Sequence, residues 1–191
     1  MGQYYCGCVL KKNFKKNDMK AVIASIYPHD YSNGAKLMEH SYVGNEYVKS
    51  VMQMIALHNG KPFVWCGDYA DELFTDEKGE KFNTYMIAPR MNPNDLEKLI
   101  SENDVEEDYK YIVNYTKREY VEVPEYNEEE WTIHPLPLLC ADGNDRGSGD
   151  AHKDRVSDYD LIGTWAYNRI GVTNKRPHYK KLKVNFVEHD Y

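Results

Sequence analysis

The residues with the best chemistry lie between Trp131 and Asp150, in WTIHPLPLLCADGNDRGSGD. An imidazole (His134), two carboxylates (Asp142, Asp150) and one guanidinium (Arg146) fall within a short reach of chain. Gly143, Gly147 and Gly149 interleave with Asn144 and Ser148. Successive amides of such a loop can form an anion nest. Arg146 would add a two-pronged bond to phosphate or carboxylate. A neutral histidine near a carboxylate suits a general base, so His134 and the turn residue His29 are candidate catalytic groups with Asp142 or Asp150. Trp165 is the candidate for stacking a flat ring, alongside Gly143, Asn144, Arg146, Gly147, Ser148, Gly149 and Asp150 as ligand-binding residues.

Sharper motifs fail on particular residues. A calcium loop counted from Asp142 has Arg146 at its fifth position and Lys153 at its twelfth, where oxygen ligands are needed. A P-loop needs Gly-Lys-Ser/Thr, the glycine spacing is wrong for a dinucleotide fingerprint, and no G-x-S-x-G elbow occurs. Cys6 and Cys8 lack partners at zinc spacing. No metal and no cofactor is expected. Cys140 follows Leu138 and Leu139, the setting of a buried, inert thiol.

The elements that must position these groups read as α+β, a mostly antiparallel sheet with two or three helices in one domain spanning 1–191. Residues 2–10 and 21–27 read as strands, and Asn33-Gly34 as a turn. Helix 45–58 is the clearest: Asn45 caps it, Val48, Val51, Met52 and Ile55 form one stripe, and Asn59-Gly60 closes it. Residues 62–71 and 83–89 read as strands, and Asn92-Pro93 starts a short helix. Residues 109–123 form a hairpin turning near Thr116-Lys117. Pro135 and Pro137 cannot donate to a ladder, so the support before the glycine loop reads as an extended edge. Residues 161–172 and 180–189 read as the last strands. The irregular stretch 141–160 is long enough to suggest function.

Composition narrows the partners. The 191 residues carry a net charge of −7, which argues against a broad nucleic-acid surface. Tyrosine supplies 17 residues against 3 tryptophans and 5 phenylalanines, suiting half-wet faces and pockets for flat ligands. No apolar run has the roughly 18 residues of a membrane span. No signal peptide is visible, so the four cysteines read as reduced thiols of a cytoplasmic protein.

MGQYY, PHDYSNGAKLMEHSYVGN (28–45), GDYAD (67–71), VNYTKREYV (113–121), WTIHPLPLLCADGNDRGSGD (131–150) and LIGTWAYNRI (161–170) resemble a family of small, functionally uncharacterised proteins of bacteria and their phages. These pieces are spread along nearly the whole chain. Ser148 stands where relatives tend to have Gly. The resemblance brings no activity. It implies that the His29 turn, the Gly67-Asp68 turn, the 143–150 loop and the Trp165 segment belong to one unit, in a phage or mobile-element setting.

Three functions follow as expectations. The first is a binding protein for a small anionic, nucleotide-like ligand that sequesters or blocks a host component. The second is a hydrolase or transferase acting on a phosphate- or ribose-containing substrate. The third is an acidic inhibitor of a host protein, using segments 102–108 and 125–130. Self-association into a homo-oligomer stays open.

Overall fold

Strand β1 (Tyr5–Leu10) is buried at every position, as a strand covered on both faces must be. Alternation sends Tyr5 and Val9 into one apolar cluster and Cys6, Cys8 and Leu10 into another on the opposite face. The computed structural model in which this is seen describes residues 3–128, 131–143 and 151–187.

Nine further strands follow: β2 (Val22–Ser25), β3 (Lys61–Gly67), β4 (Phe74–Thr75), β5 (Lys81–Phe82), β6 (Tyr111–Asn114), β7 (Glu119–Glu122), β8 (Ala141–Asp142), β9 (Arg169–Thr173) and β10 (Lys180–Lys181). The main sheet has the order β10-β7-β6-β9-β3-β1-β2, with β8 also against β3, while β4 and β5 pair by themselves. Pairing is antiparallel except for β3 with β8 and β7 with β10. The fold is α+β with three α-helices among the described residues.

Helix α1 (Glu46–Leu57) covers one face. The Asn45 side chain accepts from the amides of Tyr47 and Val48, satisfying two donors that a helix start leaves over. Its stripe of Val48, Val51, Met52 and Ile55 is buried. The helix lies so close to β1 that a methyl group on Gly7 would stand 2.8 Å from Val51 Cγ1. The Tyr47 hydroxyl accepts from the Gly7 amide at 3.0 Å and donates to Ile26 O at 3.2 Å, tying helix and sheet together. Gly60 takes the left-handed conformation that lets the chain turn into β3 (φ +79°). Helix α2 (Pro93–Glu102) starts on an Asn92 cap as its sequence dictates.

Four expectations need correction. Residues 135–139 are not an extended edge but a short helix, α3 (Pro135–Leu139), with His134 as its cap. Residues 161–172 are not one strand: a 3-10 turn (Tyr159–Leu161) and further turns carry the chain to β9, which begins only at Arg169. Of 180–189, among the described residues (180–187) only Lys180–Lys181 form a strand, in parallel beside β7. The strand expected at 83–89 is absent: residues 84–87 form a turn, held by the Asn83 side chain, which donates to Asp68 O and Ala70 O and accepts from the Met86 amide.

Candidate functional site

Antiparallel pairing sets Tyr5 opposite Gly67, so the start of β1 meets the end of β3. β8 runs parallel to β3 with Asp142 beside Cys66, and ends at the same place. Residues 3–5, 67–68 and 142–143 therefore share one end of the sheet. Gln3, 2% exposed, is wedged between the glycines there. A methyl group on Gly67 would stand 2.6 Å from Gln3 Oε1. One on Gly143 would stand 2.6 Å from the same atom and 2.4 Å from the Tyr5 hydroxyl. The first glycine of the loop is thus needed for close approach.

Tyr4 and Asp68 clasp each other at this corner. The Tyr4 amide donates to Asp68 Oδ1 at 3.0 Å, and the Asp68 amide donates to Tyr4 O at 2.9 Å. Lys36 Nζ donates to Gln3 O at 3.2 Å and lies 4.3 Å from the centre of the Tyr4 ring. The His29 ring is 6.2 Å from Tyr4 and 4.9 Å from Tyr27, edge-on to the latter. The Arg90 guanidinium lies 4.1 Å over Tyr27. Lys36, Tyr4, His29, Tyr27 and Arg90 thus form a row in which ring and nitrogen-bearing groups alternate. Tyr4, His29 and Arg90 are exposed along it. His29 is held there by a 3-10 turn (Pro28–Tyr31) closed by Ser32 in the left-handed region, φ 54°.

Beside the loop root, half-buried Asp142 accepts from the Tyr167 hydroxyl at 2.6 Å. That hydroxyl also lies 2.9 Å from Thr84 Oγ1. Burial pushes the Asp142 carboxyl above the ordinary range; the Tyr167 bond opposes this and the Asp71 charge reinforces it. Burial raises the Tyr167 phenol as well, helped by neighbouring Cys66 and Asp142. Tyr167 sits at φ 61°, a conformation costly for an aromatic residue and typical of over-determined sites. Its amide donates to Phe63 O at 2.8 Å.

Three of the thiols are poor nucleophiles. Cys6 and Cys8 Sγ are 3.5 Å apart. Cys8 is pushed up by that contact and by burial, and Cys66 and Cys140 by burial, so all three stay protonated at neutral pH. Among the described residues no three His, Cys, Asp or Glu side chains are grouped to hold a metal ion.

The sequence candidates fall in different places. His29, Asp142 and Gly143 lie at or beside this sheet end. Asn144, Arg146, Gly147, Ser148, Gly149 and Asp150 lie outside the described residues. His134 does not meet Asp142: the two stand at opposite ends of α3. It is 3% exposed and its Nδ1 accepts from the Leu136 amide at 3.2 Å. Burial lowers its pKa to about 3, so the ring is neutral with its proton on Nε2. It is a helix cap, not a base paired with Asp142. Trp165 offers no stacking face as expected from sequence, because it is 0% exposed within the core. Its amide donates to Leu139 O at 2.8 Å, fixing α3 against the turns after it.

Gln3, Tyr4, Lys36, Thr84, Arg90 and Tyr167 are not evident from sequence reasoning. Gln3 and Tyr4 fall within the run MGQYY, Lys36 within 28–45, Asp68 within GDYAD and Tyr167 within 161–170, so the runs that carry the resemblance pointed here without giving these residues a role. Comparison with protein-family models, with curated proteins and with solved structures finds no match to this chain.

Proposed function

We propose that this end of the sheet binds a small anionic ligand with a flat ring, a nucleotide-like molecule. The carrying observation is the row Lys36, Tyr4, His29, Tyr27 and Arg90. Cations held against aromatic rings supply charge-assisted bonds to phosphate. The outer face of a stacked guanidinium, and the exposed ring edges, supply stacking for a base. The charge is local, so it is compatible with a chain of net charge −7. Two of the acids nearby are already engaged, Asp68 by the Tyr4 amide and Asp142 by Tyr167, which reduces their repulsion of an anion. The glycine loop leaves from Gly143 beside the row and would supply amides to the same ligand. In the phage or mobile-element setting that the resemblance implies, such a protein would sequester or block a host component.

Calorimetric titration of nucleotides and cyclic nucleotides against the protein and its Lys36→Ala and Arg90→Ala variants tests this. Each variant should keep the wild-type melting temperature and weaken binding by roughly tenfold or more, the loss of one charge-assisted bond. A nucleotide that binds equally well to both variants would place its site elsewhere. Product analysis of the same mixtures separates binding from turnover.

A further inference from the structure

A concave surface lies away from the sheet end. A groove of about 390 Å³ runs along the first half of α1, between residues 107–110 and 123–126, and has His134 among its lining residues. That volume is within the roughly 300–1,000 Å³ of ligand clefts. Val48, Met52, Tyr109, Val123 and Tyr126 make it largely apolar. Tyr126, 62% exposed, lies so flat on Gly44 that a methyl group there would stand 2.5 Å from its ring.

Both acidic stretches of the sequence border this groove from opposite banks. Glu107 and Asp108 line one bank, and Glu125 lines the other. Glu102, Asp104 and Glu106 continue the first bank as exposed residues, and Glu128 continues the second. The Glu107 and Asp108 side chains are 80% and 79% exposed. Two cations also line the groove. Lys110 is exposed, while Lys49 is tucked in at 26%, bonded to Glu107 at 2.7 Å and 3.9 Å from Asp108. The bank is pinned: Gln53 Nε2 donates to the carbonyls of Glu106 and Glu107, and the Glu106 amide donates to the Tyr109 hydroxyl at 3.1 Å. An ordered bank loses little freedom when a partner arrives. One residue before Val43 of the groove wall, Tyr42 carries the exposed Trp131 ring at 4.3 Å.

We infer that this groove docks a basic segment of a partner protein, an aromatic or large aliphatic side chain entering between Met52 and Tyr126 while flanking lysines or arginines meet Glu107, Asp108 and Glu125. The apolar floor takes the anchor, the usual source of docking energy. The acidic banks select its flanks and speed encounter. A ligand of the anionic class proposed for the sheet end would be repelled here, so the two surfaces take different partners.

The test uses labelled peptides on the full chain, followed by fluorescence anisotropy at low and physiological salt. The probes are Lys-Lys-Ala-Trp-Ala-Lys-Lys, the same peptide with Trp replaced by Ala, and the same with every Lys replaced by Glu. The first should bind, and each change should weaken it by roughly tenfold or more. Glu107→Lys, Glu125→Lys and Tyr126→Ala should each weaken it similarly while the melting temperature holds, since exposed pairs contribute little stability. Equal binding of the three peptides, or binding of none, overturns the proposal. So does N-acetyl-tryptophanamide binding as tightly as the first peptide with Glu107→Lys without effect, which would make the groove a small-molecule site.

Discussion

The Tyr167 hydroxyl reaches Asp142 Oδ2 at 2.6 Å, joining the turns before β9 to the residue from which the glycine loop departs. A half-buried carboxylate that loses such a donor keeps its desolvation cost without the compensating bond. Tyr167→Phe should therefore destabilise the fold by about 1–3 kcal/mol. On an Asp142→Asn background the same change should cost less, because no charge is left stranded. Denaturant unfolding of the four proteins gives the coupling; additive costs would show that the contact contributes nothing.

His134 sets an acid limit on stability. Its folded pKa is about 3, whereas an ordinary histidine titrates near 6.5. Unfolding therefore takes up a proton below about pH 6.5, and stability falls as pH drops from there toward about 3. From pH 7 to pH 5 this group alone should remove about 2 kcal/mol. Half-buried His58, lowered by burial and by Lys61, adds in the same direction. Asp142, raised when folded, acts with the opposite sign: its protonated form favours the fold as pH falls toward its unfolded value. The diagnostic is His134→Asn, which keeps a capping side chain. Its stability should vary less between pH 7 and 5 than that of the wild type, and an unchanged slope would reject the assignment.

Val51→Asp should cost about 3 kcal/mol or more, since it places an unpaired charge at a fully buried site against β1. A melting temperature equal to that of the wild type would contradict the packing of α1 on the sheet.

Gly67→Ala should cost about 1–3 kcal/mol by overpacking, because its new methyl group meets Gln3 Oε1. Gln3→Ala should recover part of that loss by removing the nearest atom, while Tyr5 Cε1 at 3.1 Å remains a tight neighbour. Thermal melts of the single and double variants measure the rescue. If the double variant is no more stable than Gly67→Ala, the Gln3 wedge is not what Gly67 accommodates.

The parts legible in the sequence were those governed by local rules. The Val48, Val51, Met52 and Ile55 stripe, the Asn45 and Asn92 caps and the 109–123 hairpin follow from period and capping alone. α3 was hidden because its prolines read as strand edges. Yet Pro135 and Pro137 fall in the first turn, where backbone N–H groups have no helical acceptor to lose. The Asn33-Gly34 pair suggested a turn of its own. In the structure Asn33 is buried, bonding the Ala35 amide and His40 O, and the left-handed residues are Ser32 and Ala35. The 161–172 run looked continuous because Trp165 and Ile162 are buried, but turn residues can be buried as fully as strand residues. The candidate site was legible only in part. His29, Asp142 and Gly143 stood out by type, while Lys36, Arg90 and Tyr167 reach it through long-range packing that no local pattern encodes.

β3 takes its partners from every part of the chain: β1 before it, and β8 and β9 far behind. Closing such distant segments incurs its entropy cost before any contact compensates, and sheets of this kind form slowly. The sheet end needs Gln3, Gly67 and Gly143 together, so no fragment ending before β8 can contain it. On a ribosome, this corner of the sheet would therefore come together only once about three-quarters of the polypeptide, through Gly143, has emerged.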